Sequence, residues 1–250
     1  MIIFDEKIYA EEVLRKGFKT KNKNVYELNI VCKYLLSLGW DEGKVKKRII
    51  KLCEKYIDGF SIEEWYKVIN TTLSSAKRGT LKTGKEVHIT QSELDVIQSI
   101  DGIREQKVAF TLLVLYKFYN YNKFTVQLID LFTLSELTTI DTKTRLKILH
   151  KLTQSKLIDI DMRGRRWVKF VDKDNEPVIV IKNFDNFIWE YLHFIGEGKF
   201  KRCMECHSVI KITTGNNLYC KRCSKEVNRI KTLTKYHQKM NFEAKNLSNP

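Results

Sequence analysis

Two cysteine pairs constrain this chain more than any other feature: Cys203-Met204-Glu205-Cys206 and, thirteen residues further on, Cys220-Lys221-Arg222-Cys223. A two-residue spacer lets both thiolates of a pair turn toward one ion, and two such pairs at this separation read as a zinc site. Four sulfurs close the coordination shell and leave no position for water, so one Zn²⁺ here is expected to be structural rather than hydrolytic. Disulfides or a redox pair are the other readings, and two matched pairs without a secretion signal weigh against both. His207 could replace a cysteine, but its adjacency to Cys206 argues against it.

Residues 209–213, Gly215-Asn216-Asn217 and Leu218-Tyr219 predict a short hairpin that brings the two pairs together. From Ser224 to about Met240 the spacing predicts a helix with Val227, Ile230, Leu233 and Met240 on one side. Lys225, Arg229, Lys231, Lys235 and Lys239 fall on the other side. Four cysteines, Tyr219-Cys220 and a basic helix opened by the second pair resemble the small treble-clef zinc fingers, with a zinc ribbon as the neighbouring alternative. The likeness covers residues 200–240. Such fingers follow helix-turn-helix domains in many proteins of phages and mobile elements in AT-rich bacteria, and the resemblance implies that setting.

Charge points the same way, once discounted. Lys plus Arg (45) exceed Asp plus Glu (30), a surplus of 15 that suits an anionic partner. Yet 34 of those 45 are Lys, and the chain has only four Ala, the usage of a very AT-rich genome, so location matters more than the total. Residues 1–87, 88–195 and 196–250 carry +6, +1 and +8. Four thiolates with Zn²⁺ contribute −2, which trims the last segment to about +6 and leaves it the most basic.

In the middle third, residues 108–119 are apolar nearly all round and read as a buried central helix. A shorter helix ends near Leu137, and Asp141 caps a helix from Thr142 to about Ser155. Helical spacing groups Leu146, Ile148, Leu149 and Leu152 on one side and Lys143, Lys147, His150, Lys151 and Gln154 on the other. Strand-like residues 157–161, a tip at 162–165, then 166–171 and 177–181 follow. Three helices and a hairpin resemble the winged helix-turn-helix family, which implies a helix that reads the major groove and wing arginines, here Arg163, Arg165 and Arg166, on phosphates or the minor groove. Residues 141–169 hold nine basic against three acidic residues, a local concentration that codon bias does not explain. The competing reading is an ordinary solvated lysine face, or a winged helix used as a protein-docking module.

Catalysis has no visible home. Asp159, Asp161, Asp172 and Asp174 could suggest a metal-dependent nuclease, but Val180-Ile181-Lys182 stands where a Glu-x-Lys would be needed. Strand-edge and turn solvation explains them better. No Gly-rich phosphate loop, nucleophile elbow or His-Glu-x-x-His is present. The chain is therefore not expected to be an enzyme.

The first third predicts a helical bundle over 1–80. Leu28, Val31, Cys32, Leu35 and Leu36 make one stripe, and Val45, Ile49, Leu52, Cys53 and Tyr56 another. Ser61 with Glu64 gives a capping-box pattern ahead of Ile62, Trp65, Ile69 and Leu73. Cys32 and Cys53 sit on apolar faces and read as small hydrophobes. The basic run 44–51 is a candidate surface with a solvated helix face as its plainer explanation. At 43% hydrophobic and 30% charged, the chain can bury a core. Without a membrane-length apolar run or leader it is expected to be soluble, cytoplasmic and off the membrane.

The expected architecture is mainly α with small β-hairpins: a helical bundle (1–80), a winged helix domain (88–195) and a Cys₄ finger with a basic helix (199–242). The expected function is nucleic-acid binding, most naturally to double-stranded DNA, by a regulator of transcription or replication. The alternative is an adaptor or inhibitor that docks on a host polymerase or nuclease. A third possibility, RNA stacking on Trp167, Tyr219 or Tyr236, has weaker support. Oligomeric state is left open.

Overall fold

The computed structural model describes residues 2–20, 24–173, 175–213 and 217–247, with side chains as far as 235 in the last helix. Among these residues the chain is mainly helical, with small antiparallel strand pairs. It forms two compact units, 1–85 and 86–250. Among the described residues no helix is long and apolar enough to cross a membrane.

The first unit contains α1 (Glu6–Lys16), α2 (Asn24–Ser37), α3 (Glu42–Tyr56) and α4 (Ile62–Arg78). Apolar residues on α2 recur at helical spacing, and α2 packs against the other three helices. Val13, Leu28, Val31, Cys32, Ile49, Cys53 and Ile69 fill the space between them. Burial pushes the Cys32 and Cys53 thiols up to about 12, so both stay neutral and act as packing. Glu27 is also buried. Its carboxylate accepts the Tyr9 hydroxyl (2.8 Å) and the backbone N–H groups of Lys19 (2.9 Å) and Thr20 (3.1 Å), which satisfies its charge. The capping box expected at Ser61 does not form: the Ser61 hydroxyl donates to Glu63 at 2.7 Å, leaving Glu64 out.

The second unit runs β1 (Val87–Thr90), α5 (Gln91–Gln98), α6 (Ile103–Phe118), α7 (Leu128–Leu134), α8 (Thr142–Gln154), β2 (Ile158–Ile160), β3 (Arg166–Val168), β4 (Pro177–Ile181), α9 (Ile188–Phe194), β5 (Phe200–Arg202), β6 (Val209–Lys211) and α10 (Lys221–Leu247). Its hub is α6, whose residues from Val108 to Leu115 are all buried, as the all-round apolar sequence requires. Helices α5, α7, α8 and α9 all pack on it. Tyr191 of α9 stacks on Phe110 with ring centroids 5.0 Å apart and donates its hydroxyl to Gln106 at 2.9 Å.

Strands β2 and β3 form the hairpin, with Ile158 opposite Val168 and Ile160 opposite Arg166. Just before α7, Phe124 bridges Arg166 on the other edge of β3. Strand β4 does not extend this hairpin: it pairs with β1, Val87 opposite Ile181 and Ile89 opposite Ile179. Neither β1 nor α5 was expected. Thr90 caps α5 in a reciprocal capping box with Glu93. Glu93 then accepts the Lys117 ammonium (2.6 Å) and the Asp172 backbone N–H (2.9 Å), so one buried carboxylate ties α5, α6 and the segment before β4 together.

Leu146 departs from its expected grouping. It is 54% exposed, whereas Ile148, Leu149 and Leu152 are buried. At 100° per residue it stands about 110° round the helix from the centre of that trio, on the side of Lys143 and His150.

Candidate metal centre and basic surfaces

The cysteine cluster is assembled by backbone hydrogen bonds. In the β5–β6 hairpin Arg202 lies opposite Val209, and the Cys203 N–H donates to the Ser208 carbonyl at 2.9 Å. The His207 N–H donates to the Cys203 carbonyl at 3.0 Å, with His207 at φ 57°, a left-handed conformation that turns the chain back directly after Cys206. The Met204 N–H reaches the Leu218 carbonyl at 3.0 Å and brings the second pair alongside the first. Helix α10 opens immediately after Cys220, so Cys220 and Cys223 flank its first turn. The predicted turn residues Gly215 and Asn216 lie outside the described residues.

All four sulfurs lie within 4.8 Å of one another, and Cys206 Sγ is 3.7 Å from Cys220 Sγ. A tetrahedron with metal–sulfur bonds of about 2.3 Å has edges of about 3.8 Å, whereas a disulfide needs about 2.05 Å. The arrangement could hold one metal ion, and all four cysteines are free. Among the described residues this is the one group of three or more His, Cys, Asp or Glu side chains so placed. His207 is not part of it.

The electrostatics favour a cation. Burial opposes ionisation of Cys203, yet backbone N–H groups of Cys206, Cys220 and Glu205 aimed at its sulfur bring its pKa down to about 6. The Cys223 thiol is pushed up by burial and by its contacts with the other three sulfurs. Four thiols this close cannot all ionise unless positive charge enters among them. Cys203 and Cys220 are buried and Cys206 is exposed. Ile210 and Tyr219 pack against the cluster.

Sequence reasoning missed the residue that anchors this hairpin. Glu190 of α9, 8% exposed, accepts the Val209 N–H at 3.0 Å and faces the Arg202 guanidinium at 3.4 Å. Arg202 in turn donates to the His207 carbonyl at 3.0 Å. The available signal is an acid set among the apolar residues Phe187, Ile188, Tyr191 and Leu192.

The predicted basic residues meet different fates. Lys143, Lys147, His150 and Gln154 stand exposed along α8. Lys151 is exposed but pairs with Glu105 at 3.0 Å. At the hairpin tip, Asp161 accepts the backbone N–H groups of Arg163 and Arg165 and the Arg165 Nε at 2.8 Å, leaving the Arg163 side chain outward beside the fully exposed Met162. Arg166 is turned inward. It is 9% exposed, and Nη1 donates to the Val126 carbonyl at 2.7 Å, because the strand alternation that places Val168 in the core places Arg166 there too. Of the aspartates considered for catalysis, Asp159 pairs with Lys169 at 2.6 Å and Asp161 builds the turn. Asp174 lies outside the described residues.

On α10, Lys225, Arg229, Lys231 and Lys235 are exposed, Arg229 clasping Glu226 at 2.8 Å. The side chains of Tyr236, Lys239 and Met240 lie outside the described residues. The apolar side predicted for this helix does not pack away: Ile230 and Leu233 are 53% and 47% exposed. Comparisons with protein-family models, with curated proteins and with solved structures return no match to this chain.

Proposed function

We propose that this chain is a nucleic-acid-binding regulator of transcription or replication that engages double-stranded DNA through α8 and the β2–β3 hairpin. The element order supports a winged helix: α6, a one-residue strand at Phe124 bridged to β3, α7, α8, then β2 and β3 as the wing. The single observation behind the DNA reading is the exposed α8 face of Lys143, Lys147, His150 and Gln154, which carries donors at the spacing of one groove-facing side. Arg163 and Arg165 extend it at the wing. The inward-facing Arg166 takes no part.

In this reading the cysteine cluster holds one Zn²⁺, a choice supported by four sulfur donors close enough to share one ion, the donor set that suits tetrahedral zinc. The ion has a structural role, since its shell is full. It fixes the start of α10, whose Lys225, Arg229, Lys231, Lys235 and Lys239 supply a second set of phosphate contacts. Residues 1–80, 88–195 and 199–242 then act as bundle, reader and finger, and the setting of phage or mobile element comes from the family resemblance alone.

Fluorescence anisotropy with a labelled duplex tests this. Affinity should fall by orders of magnitude between about 50 and 200 mM salt, and Lys147→Glu should weaken it further. No affinity at the lower salt, or affinity indifferent to salt, would remove the proposal.

A second reading is favoured by exposed Ile230 and Leu233 on α10: an adaptor or inhibitor that docks on a host polymerase or nuclease. Reversing charge at Arg163 and Arg165 separates the two. Loss of DNA retention with capture of the protein partner intact fits the first reading, and loss of partner capture fits the second.

A further inference from the structure

Resting on the DNA reading above, we infer that Leu146 is the specificity element of the α8 face. It meets thymine C5-methyl groups in the major groove, so the partner is thymine-bearing B-form DNA rather than RNA.

Leu146 is 54% exposed in a helix whose other leucines and isoleucine are 1–5% exposed. Residues three and four apart on a helix are surface neighbours, so Lys143 stands one turn before it and His150 one turn after, with Lys147 beside them. An apolar side chain is thus held in water along one margin of a cationic and hydrogen-bonding face, with Thr142 and Thr153 on its other flank.

A complementary surface must offer anionic groups to the lysines and an apolar group beside them to Leu146. The major groove of duplex DNA is such a surface: phosphates line both walls, and the thymine methyl is the apolar group presented between them. A-form RNA is not such a surface for a helix, because its major groove, though lined by phosphates, is too deep and narrow to admit one and uracil lacks the methyl. Lys143 and Lys147 would secure the walls while Leu146 covers a methyl that water otherwise surrounds.

The test uses the full-length, metal-loaded protein. A duplex of roughly 20 base pairs, about two helical turns, is selected from a random-sequence library by binding to the wild-type protein. It is then resynthesised with deoxyuridine at every thymidine. Wild-type affinity should drop about fourfold for each methyl contacted. Leu146→Ala should bind the thymine duplex more weakly and make no distinction between the two duplexes. Lys147→Gln should weaken binding to both and keep the distinction. Because Leu146 is exposed, the thermal midpoint of the Leu146→Ala variant should match wild type. Equal wild-type affinity for the two duplexes, or full discrimination kept by Leu146→Ala, overturns the inference and leaves DNA binding standing. Such a result would suit a Leu146 that docks on protein. Enrichment of no duplex at all removes the DNA reading, and this inference with it.

Discussion

Glu190 of α9 accepts the backbone N–H of Val209 at 3.0 Å, so a buried carboxylate, together with the Trp189–Phe200 ring contact, fastens the hairpin that carries the first cysteine pair to α9. Removing it with Glu190→Ala strands a buried donor, at a cost of about 1–3 kcal/mol. Hydrogen exchange at the Val209 amide should accelerate, and Glu190→Gln, which keeps an acceptor oxygen, should restore most of the protection. Unchanged exchange in the alanine variant would contradict the anchoring role.

Lys117 and Glu93 form a buried ion pair in the same unit, with side chains only 6% and 0% exposed. Lys117→Met leaves the Glu93 carboxylate with its two backbone donors and no cation. Urea denaturation should register a loss of about 3–5 kcal/mol. A change below the scatter of such measurements would mean that the ammonium is dispensable.

Loading the reduced protein with Co²⁺ should give one equivalent bound and intense thiolate-to-metal absorption, which Zn²⁺ then displaces. Cys220→Ser should weaken retention, and a strong chelator should release the amides of β5 and β6 to exchange. Less than half an equivalent of metal in fully reduced material would refute the four-sulfur site.

Asp141 caps α8. Its carboxylate accepts the Thr144 backbone N–H at 2.9 Å and the Thr144 hydroxyl at 2.7 Å, and these bonds, the backbone one foremost, hold its pKa below the ordinary carboxylate value. A folded pKa below the unfolded one adds stability above the unfolded value of about 3.9, and that stability fades as pH falls through the folded value. Asn caps helices well but does not titrate. The difference in thermal midpoint between wild type and Asp141→Asn should therefore grow as pH rises through the acidic range and level off above about pH 5. A constant difference would show that the charge of Asp141 is not involved.

The features legible in the sequence were those encoded within a few residues. Cys203, Cys206, Cys220 and Cys223 declare themselves by spacing, the α8 cap by Asp141, and α6 by an apolar run too long for a strand. What escaped depends on distant partners. Strand β1 is four residues long and gains meaning only from β4. The Thr90 and Glu93 capping box is encoded locally, but the helix it starts is only eight residues long and offers little periodicity. Arg166 carries the same charge as Arg163, and only the pairing of β3 with both Phe124 and β2 decides that one turns in and the other out. Leu146 is apolar like its buried neighbours Ile148, Leu149 and Leu152, and only its angular position sets it apart.

The antiparallel pairing of Val87 with Ile181 also sets an order for events on the ribosome. Residues 1–85 can close their own core as soon as α4 has emerged. Strand β1 appears next and must wait for about 90 further residues before its mate is synthesised. During that interval Val87 and Ile89, which end up fully covered, are offered to whatever chaperone or neighbouring nascent chain is near.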